Sequence, residues 1–218
     1  MFEPTLFAES IIGSYLWGVQ NQQSDRDVTR IISYPARAYL INMIPDQDIY
    51  LPKASKRFHA DGVEEDIVEY EIAGFISTLL VGTWQSIISV LSNQVTIPDT
   101  KLIPLWYDLR DMMIATLPGN QVACDGWYDF MQDLLKENTI KSNSHAVRSV
   151  HILNQIFDGV ETLQFVAPPI YDIKQQVGDV YNRWTDRIHS NPTSYAQMQQ
   201  DLMEWLYQYR LCSIEEIR

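Results

Sequence analysis

The chain has 218 residues and a net charge of −12, with 16 Lys and Arg against 28 Asp and Glu. This balance argues against a binder of long duplex nucleic acid, because counterion release needs a basic surface. An apolar content of 46% sets the chain among folded proteins rather than disordered ones. The length allows one good core or two small domains.

The longest apolar runs, such as Leu79-Leu80-Val81 and Met112-Met113-Ile114-Ala115, are too short to span a bilayer. The N-terminus has no basic lead and no long apolar core, so no signal peptide and no membrane partner are expected. Cys124 and Cys212 lack metal or redox spacing. Two buried thiols in a cytoplasmic protein are the expectation.

In chain order, Met1 to Ser10 reads as an entry segment or short helix, and Ile11-Ile12 is a poor strand by length. Tyr15 to Gln20 reads as a helical turn, broken by Gly18 and the polar Asn21-Gln22-Gln23. Asp25 to Ser33 is the first clear strand, carried by Val28, Thr29, Ile31 and Ile32 and stopped by Pro35. Ala36 to Met43 reads as a short helix or strand, and Pro45 to Gly62 as mainly loop with room for a short hairpin. Asp66 to Tyr70 reads as a strand. Asp66, Val68 and Tyr70 share one side of it, and Ile67, Glu69 and Glu71 the other.

From Ile72 the spacing turns helical through Phe75, Ile76, Leu79 and Leu80. Gly82-Thr83-Trp84 interrupts it, and Thr83 is placed to cap a further helix with Ile87, Ile88 and Leu91. Beyond Pro98 the pattern is helical throughout: Leu102 to Leu117, Gly126 to Lys136, Ile140 to Phe157, Ile170 to Ile188 and Thr193 to Cys212. Pro118-Gly119, Asp158-Gly159, Pro168-Pro169 and Asn191-Pro192 punctuate these helices. The expected class is therefore α+β. A small mixed sheet with helices fills residues 1–99, and a helical domain fills 100–218.

The stretch from Ile11 to Ile31 carries the chemistry. Gly13 lets the backbone approach a phosphate, and nearby N–H groups with the Ser14 hydroxyl can cradle it. A polar spacer leads to Asp25 and Asp27. On a strand these two share a face and can hold a hard dication through oxygen. No Walker phosphate loop, no His-Glu-x-x-His and no Gly-x-Ser-x-Gly occurs, which disfavours P-loop NTPases, zincins and serine hydrolases. His59, His151 and His189 have no ligand spacing. Trp17, Trp84 and Trp127 read as packing residues, with Trp17 near enough to the glycines to cover a pocket.

Gly13-Ser14 followed by Asp25-x-Asp27 resembles the signature of the DNA polymerase beta-like nucleotidyltransferase superfamily. Gly13-Ser14-x-x-Trp17-Gly18 with Ser24-Asp25-x-Asp27 is similar, more narrowly, to its bacterial and phage "predicted nucleotidyltransferase" branch. The acidic run Asp66 to Glu71, passing straight into a helix, agrees with that branch. So does Lys141 followed by His145 and Arg148. The resemblance covers Ile11 to about Gly178. Two features depart from it: Arg26 stands where an apolar residue is usual, and Gly82-Thr83-Trp84-Gln85 replaces an Asn-Pro pair and a Glu.

The resemblance implies Mg²⁺- or Mn²⁺-dependent transfer of a nucleotidyl group from a nucleoside triphosphate (NTP) to a hydroxyl. Asp25, Asp27 and Asp66 would be the catalytic and metal-binding carboxylates, with Glu69 the rival for the third place. Gly13 and Ser14 would grip phosphate, Lys141 and Arg148 would neutralise it, and His145 would bond nucleotide or acceptor. The acceptor would be an RNA end, a protein or a small molecule. The alternative is a catalytically degenerate nucleotide-binding or partner-blocking protein of the same fold: a sensor, an inhibitor or a toxin–antitoxin component.

Overall fold

The computed structural model describes residues 3–20, 24–35, 51–58, 62–166, 168 and 172–215. The expectations for Asn21-Gln22-Gln23, for Ala36 to Met43, for 45–50, for His59 and for Pro169-Ile170 lie outside these residues.

Five strands form one mixed sheet: β1 Thr5–Ile12, β2 Arg26–Ser33, β3 Lys53–Phe58, β4 Glu64–Glu71 and β5 Val95–Thr96. Their order is β3-β4-β2-β1-β5. Only β2 and β4 run parallel, and the other pairs are antiparallel. Among the described residues the α-helices are α1 Gly13–Leu16, α2 Ile72–Leu80, α3 Trp84–Leu91, α4 Ile103–Thr116, α5 Gln121–Glu137, α6 Ile140–Phe157, α7 Ile173–Ser190 and α8 Tyr195–Glu215. The protein is thus α+β, with a small mixed sheet followed by a helical C-terminal region.

Several local expectations need correcting. The N-terminus is a full strand, not an entry segment or short helix. Phe7, Ala8, Ser10 and Ile12 of β1 are buried. A register shift between Leu6 and Ala8 breaks the simple alternation that would have marked the strand. Lys53–Phe58 is also a strand where mainly loop was expected. It pairs with β4 but is almost wholly exposed, so its sequence, KASKRF, lacks an apolar face. Strand β2 begins at Arg26, so Asp25 precedes it rather than lying within it.

The helices begin where side chains satisfy free backbone N–H groups. Buried Glu71 accepts from the N–H groups of Ala73 (2.8 Å) and Gly74 (3.3 Å), which favours an abrupt passage from β4 into α2. Asn120 caps α5, starting it earlier than the apolar spacing from Gly126 indicated. Thr139 and Ser142 form a reciprocal capping box at the start of α6, the helix that covers the sheet's acidic end. Thr83 occupies the cap position of α3, as its sequence position suggested, but its side chain makes no capping bond.

One cluster of buried apolar side chains runs from Phe7 on β1 through Phe75 and Leu79 on α2 to Trp205 and Tyr209 on α8. Two indole N–H groups in it are satisfied by backbone: Trp184 donates to Leu117 O (3.0 Å) and Trp205 to Leu105 O (2.7 Å). No single described helix is long and apolar enough to cross a membrane. The apolar pair α2–α3 is bent by 111°, and most of its large apolar side chains are buried in this core, with Leu80 and Ile88 partly buried against it.

The cysteines differ from each other. Cys124 is buried and Cys212 exposed, against the expectation of two buried thiols. Residue 212 lies near the end of α8, on a side turned from the core. Burial pushes the Cys124 thiol up to about 12, helped by the neighbouring Asp125 carboxylate. A disulfide-exchange reagent at pH 8 should therefore titrate one thiol in the native protein and two after denaturation. Fast modification of both in the native state would contradict the placement of Cys124.

Candidate functional site

The site is built where β1, β2 and β4 end beside one another. The antiparallel register sets Ile12 opposite Asp27, and the parallel register sets Asp27 beside Asp66. Alternation along β2 then directs Asp27, Thr29 and Ile31 to the helix-covered side. There Thr29 Oγ1 lies 2.8 Å from Ser89 Oγ of α3. Asp66, Val68 and Tyr70 share that side on β4. Glu69 points to the other side and pairs with Arg30 (3.2 Å). Of the two rivals for the third carboxylate, Asp66 is the one that faces Asp27.

Gly13 follows the end of β1 with φ of +65°. A Cβ at this position would lie 1.9 Å from Asp27 Oδ2. The glycine is therefore needed on two counts, its left-handed backbone and the carboxylate packed against it. Arg26, flanked by the two aspartates, faces away from them. Its Nη1 donates to buried Glu65 (3.0 Å) and its guanidinium lies over the Tyr15 ring (5.0 Å). Arg57 Nε donates to the same Glu65 (2.6 Å). The unusual Arg26 thus serves an ion network behind the sheet and leaves both aspartates in place.

Helix α6 crosses in front of the carboxylates. A cavity of about 490 Å³ lies between them, lined by Ser14, Asp25, Asp27 and Asp66 on one side and by Lys141, His145 and Arg148 on the other. The i, i+4 and i+3 spacing of the last three puts them on one helical face. Of the site residues expected from the sequence, all but Gly13 and the rival carboxylate Glu69 line this cavity; Gly13 lines an adjoining one together with Trp17 and Asp27. Ser24, the first residue of the Ser24-Asp25-x-Asp27 pattern, also lines the larger cavity, as do Ile140 and Ser144, which had carried no signal.

The charges respond to this placement. Burial raises the Asp27 carboxyl above its ordinary value. Lys141 opposes that rise, while Asp66 and Asp25 add to it as like charges. His145 is pushed below its ordinary value by burial, then by Arg148 and Lys141, so it is neutral at pH 7. The Arg148 guanidinium is part-buried over the Trp17 ring (5.9 Å), and burial lowers its pKa.

Hard oxygen donors suit a hard dication, and Asp25, Asp27 and Asp66 offer only such donors. The crowding of like charge around Asp27 is what a cation would relieve. The ligands are not drawn together, however. Among the described residues, no three His, Cys, Asp or Glu side chains form a group able to hold a metal ion. Instead, Lys56 of β3 pairs with Glu64 and with Asp66 Oδ1 (3.2 Å). The antiparallel register sets Lys56 directly opposite Asp66. Sequence reasoning missed this lysine because its strand had read as loop.

No family model and no curated protein matches the chain. The solved structure of a nucleotidyltransferase-like protein from Exiguobacterium sibiricum 255-15 is similar to it. The match covers 95% of this chain and 70% of that one, at 12% sequence identity and a TM-score of 0.32.

Proposed function

We propose that this protein transfers a nucleotidyl group from an NTP to a hydroxyl, with a divalent cation such as Mg²⁺ or Mn²⁺. The observation that carries this reading is the single cavity with a carboxylate wall, Asp25, Asp27 and Asp66, facing a cationic wall, Lys141 and Arg148. A triphosphate needs both: positive side chains for its own oxygens, and carboxylates for the metal that accompanies it.

Asp25, Asp27 and Asp66 would hold the metal, which supplies charge neutralisation at the phosphoryl group and acidifies the attacking hydroxyl. Lys141 and Arg148 bind phosphate oxygens, Arg148 held in position by its contact with Trp17. Ser14 adds a hydroxyl donor on the carboxylate side. His145, neutral at pH 7, can accept a proton or a hydrogen bond at its free ring nitrogen, from sugar or acceptor. The acceptor is an RNA end, a protein hydroxyl or a small molecule.

The Lys56–Asp66 ion pair favours a second reading, a nucleotide-binding protein of the same architecture that senses or blocks a partner without turnover. The two separate in one experiment. NTP labelled at the α-phosphate is incubated with the protein, Mg²⁺ or Mn²⁺, and a panel of RNA, protein and small-molecule acceptors. Label transfer supports the enzyme; NTP binding with no transfer to any acceptor supports the sensor. In either case Lys141→Ala and Arg148→Ala should each weaken NTP binding about 10- to 100-fold, the worth of a charge-assisted hydrogen bond. Unchanged binding in both variants would remove the cationic wall from the site.

A further inference from the structure

A second cavity of about 240 Å³ adjoins the first and shares Asp27, Lys141, His145 and Arg148 with it. Its character is different. Beyond the shared residues and Gly13 it is walled by Ile12, Trp17, Trp84, Ile88 and Phe130, with Gln85 and Ser149 as its other polar members. Trp17 and Trp84 are buried, so their rings are fixed by packing. Gln85 is exposed, and its carboxamide bonds to no other described residue.

We propose that this annex takes the nucleobase of the NTP, and that Gln85 reads the base edge. The assignment rests on the triphosphate reading of the larger cavity. The division of chemistry supports it. Of the two cavities, Asp25 and Asp66 line the polar one and not the annex, and the aromatic walls line the annex and not the polar one. The phosphate-binding cations stand between the two. A ligand spanning both spaces must therefore be highly charged at one end and flat, apolar and hydrogen-bonding at the other. A nucleoside triphosphate has that form. Base faces stack on aromatic side chains without regard to sequence. A carboxamide offers one donor group and one acceptor, the pair that discriminates among base edges. An alkyl chain would leave Gln85 unused, and a cationic sugar would find no carboxylate in the annex but Asp27.

The test compares the four NTPs, the four free nucleosides and inorganic tripolyphosphate by calorimetric titration of the full chain. It uses wild type, Gln85→Leu and Phe130→Ala. Both substituted side chains are exposed, Phe130 at 40%, so the fold should tolerate the changes. At least one NTP should bind wild type at least about tenfold tighter than tripolyphosphate. Gln85→Leu should weaken that NTP about tenfold and level the ranking among bases. Phe130→Ala should weaken all NTPs together, and tripolyphosphate should bind equally to all three proteins. The assignment is overturned if all four NTPs bind only as well as tripolyphosphate, or if neither variant changes their affinities. Nucleoside binding that follows Gln85 while tripolyphosphate fails to bind would overturn the phosphate reading instead and leave the annex assigned to a base.

Discussion

Asp27→Asn should abolish the proposed nucleotidyl transfer, by about 10³-fold or more, and leave the protein at pH 7 as stable as wild type or more so. The loss follows from the site. Asp27 lies between Gly13 and Asp66 and lines both cavities. In the proposed reaction its charge would contribute metal binding worth several kcal/mol, and each ~1.4 kcal/mol is tenfold in rate. The stability follows from its raised pKa, caused chiefly by burial, with Asp66 and Asp25 adding to it against Lys141.

The folded protein holds this proton more tightly than the unfolded chain, whose reference value is 3.8. The stabilising contribution of the protonated form is therefore fully present below 3.8 and is lost as pH rises through the folded value. Asparagine keeps the neutral shape at every pH. Its melting temperature should match that of wild type at pH 3 and equal or exceed it at pH 7. Added Mg²⁺ should then raise the wild-type melting temperature and not that of the variant, because a cation that binds only the folded state stabilises it by mass action. Label transfer by Asp27→Asn within tenfold of wild type would sink the assignment. So would a melting temperature far below wild type at pH 7, which would make Asp27 a structural residue.

The residues that could be read from the sequence are those whose meaning is local. Asp27 and Asp66 sit on strands with period two, and the helical spacing from Ile72 marks the helix that follows β4. Periodicity also showed that Asp66 and Glu69 lie on opposite sides, but not which side faces Asp27. Only the parallel register of β2 and β4 decides that, and register is a long-range property. Strand β3 escaped because an exposed edge strand carries no apolar alternation. With it went Lys56, whose place opposite Asp66 exists only once the β3–β4 pair has formed. The annex escaped for the same reason on a larger scale. Trp17, Trp84, Phe130 and Ser149 come from separate segments and meet only after the helices pack over the sheet.

The short lead into the carboxylates supplies the second large effect. Gly13→Ala should destabilise the protein and remove transfer together. The left-handed φ of +65° costs an alanine about 1–2 kcal/mol. The overpacking of its Cβ, 1.9 Å from Asp27 Oδ2, adds about 1–3 kcal/mol. Transfer should fall about 100-fold or more, because relief of the clash displaces the carboxylate that the proposed reaction would use, and small misplacements cost that much.

The two contributions can be separated in an Asp27→Ala background. There the oxygen and Cγ that the new methyl would strike are gone, although Asp27 Cβ, 3.0 Å away, remains as the alanine's own. Gly13→Ala should then cost little more than the backbone part. The double-mutant cycle should show a coupling of about 1 kcal/mol or more by urea denaturation, the range expected for residues in contact. Additive costs would mean that Gly13 is required for its backbone alone and that its contact with Asp27 does not constrain the carboxylate. Ser14→Ala, at a position with no such contact, should leave stability within about 0.5 kcal/mol of wild type and raise only the NTP concentration needed for half-maximal transfer.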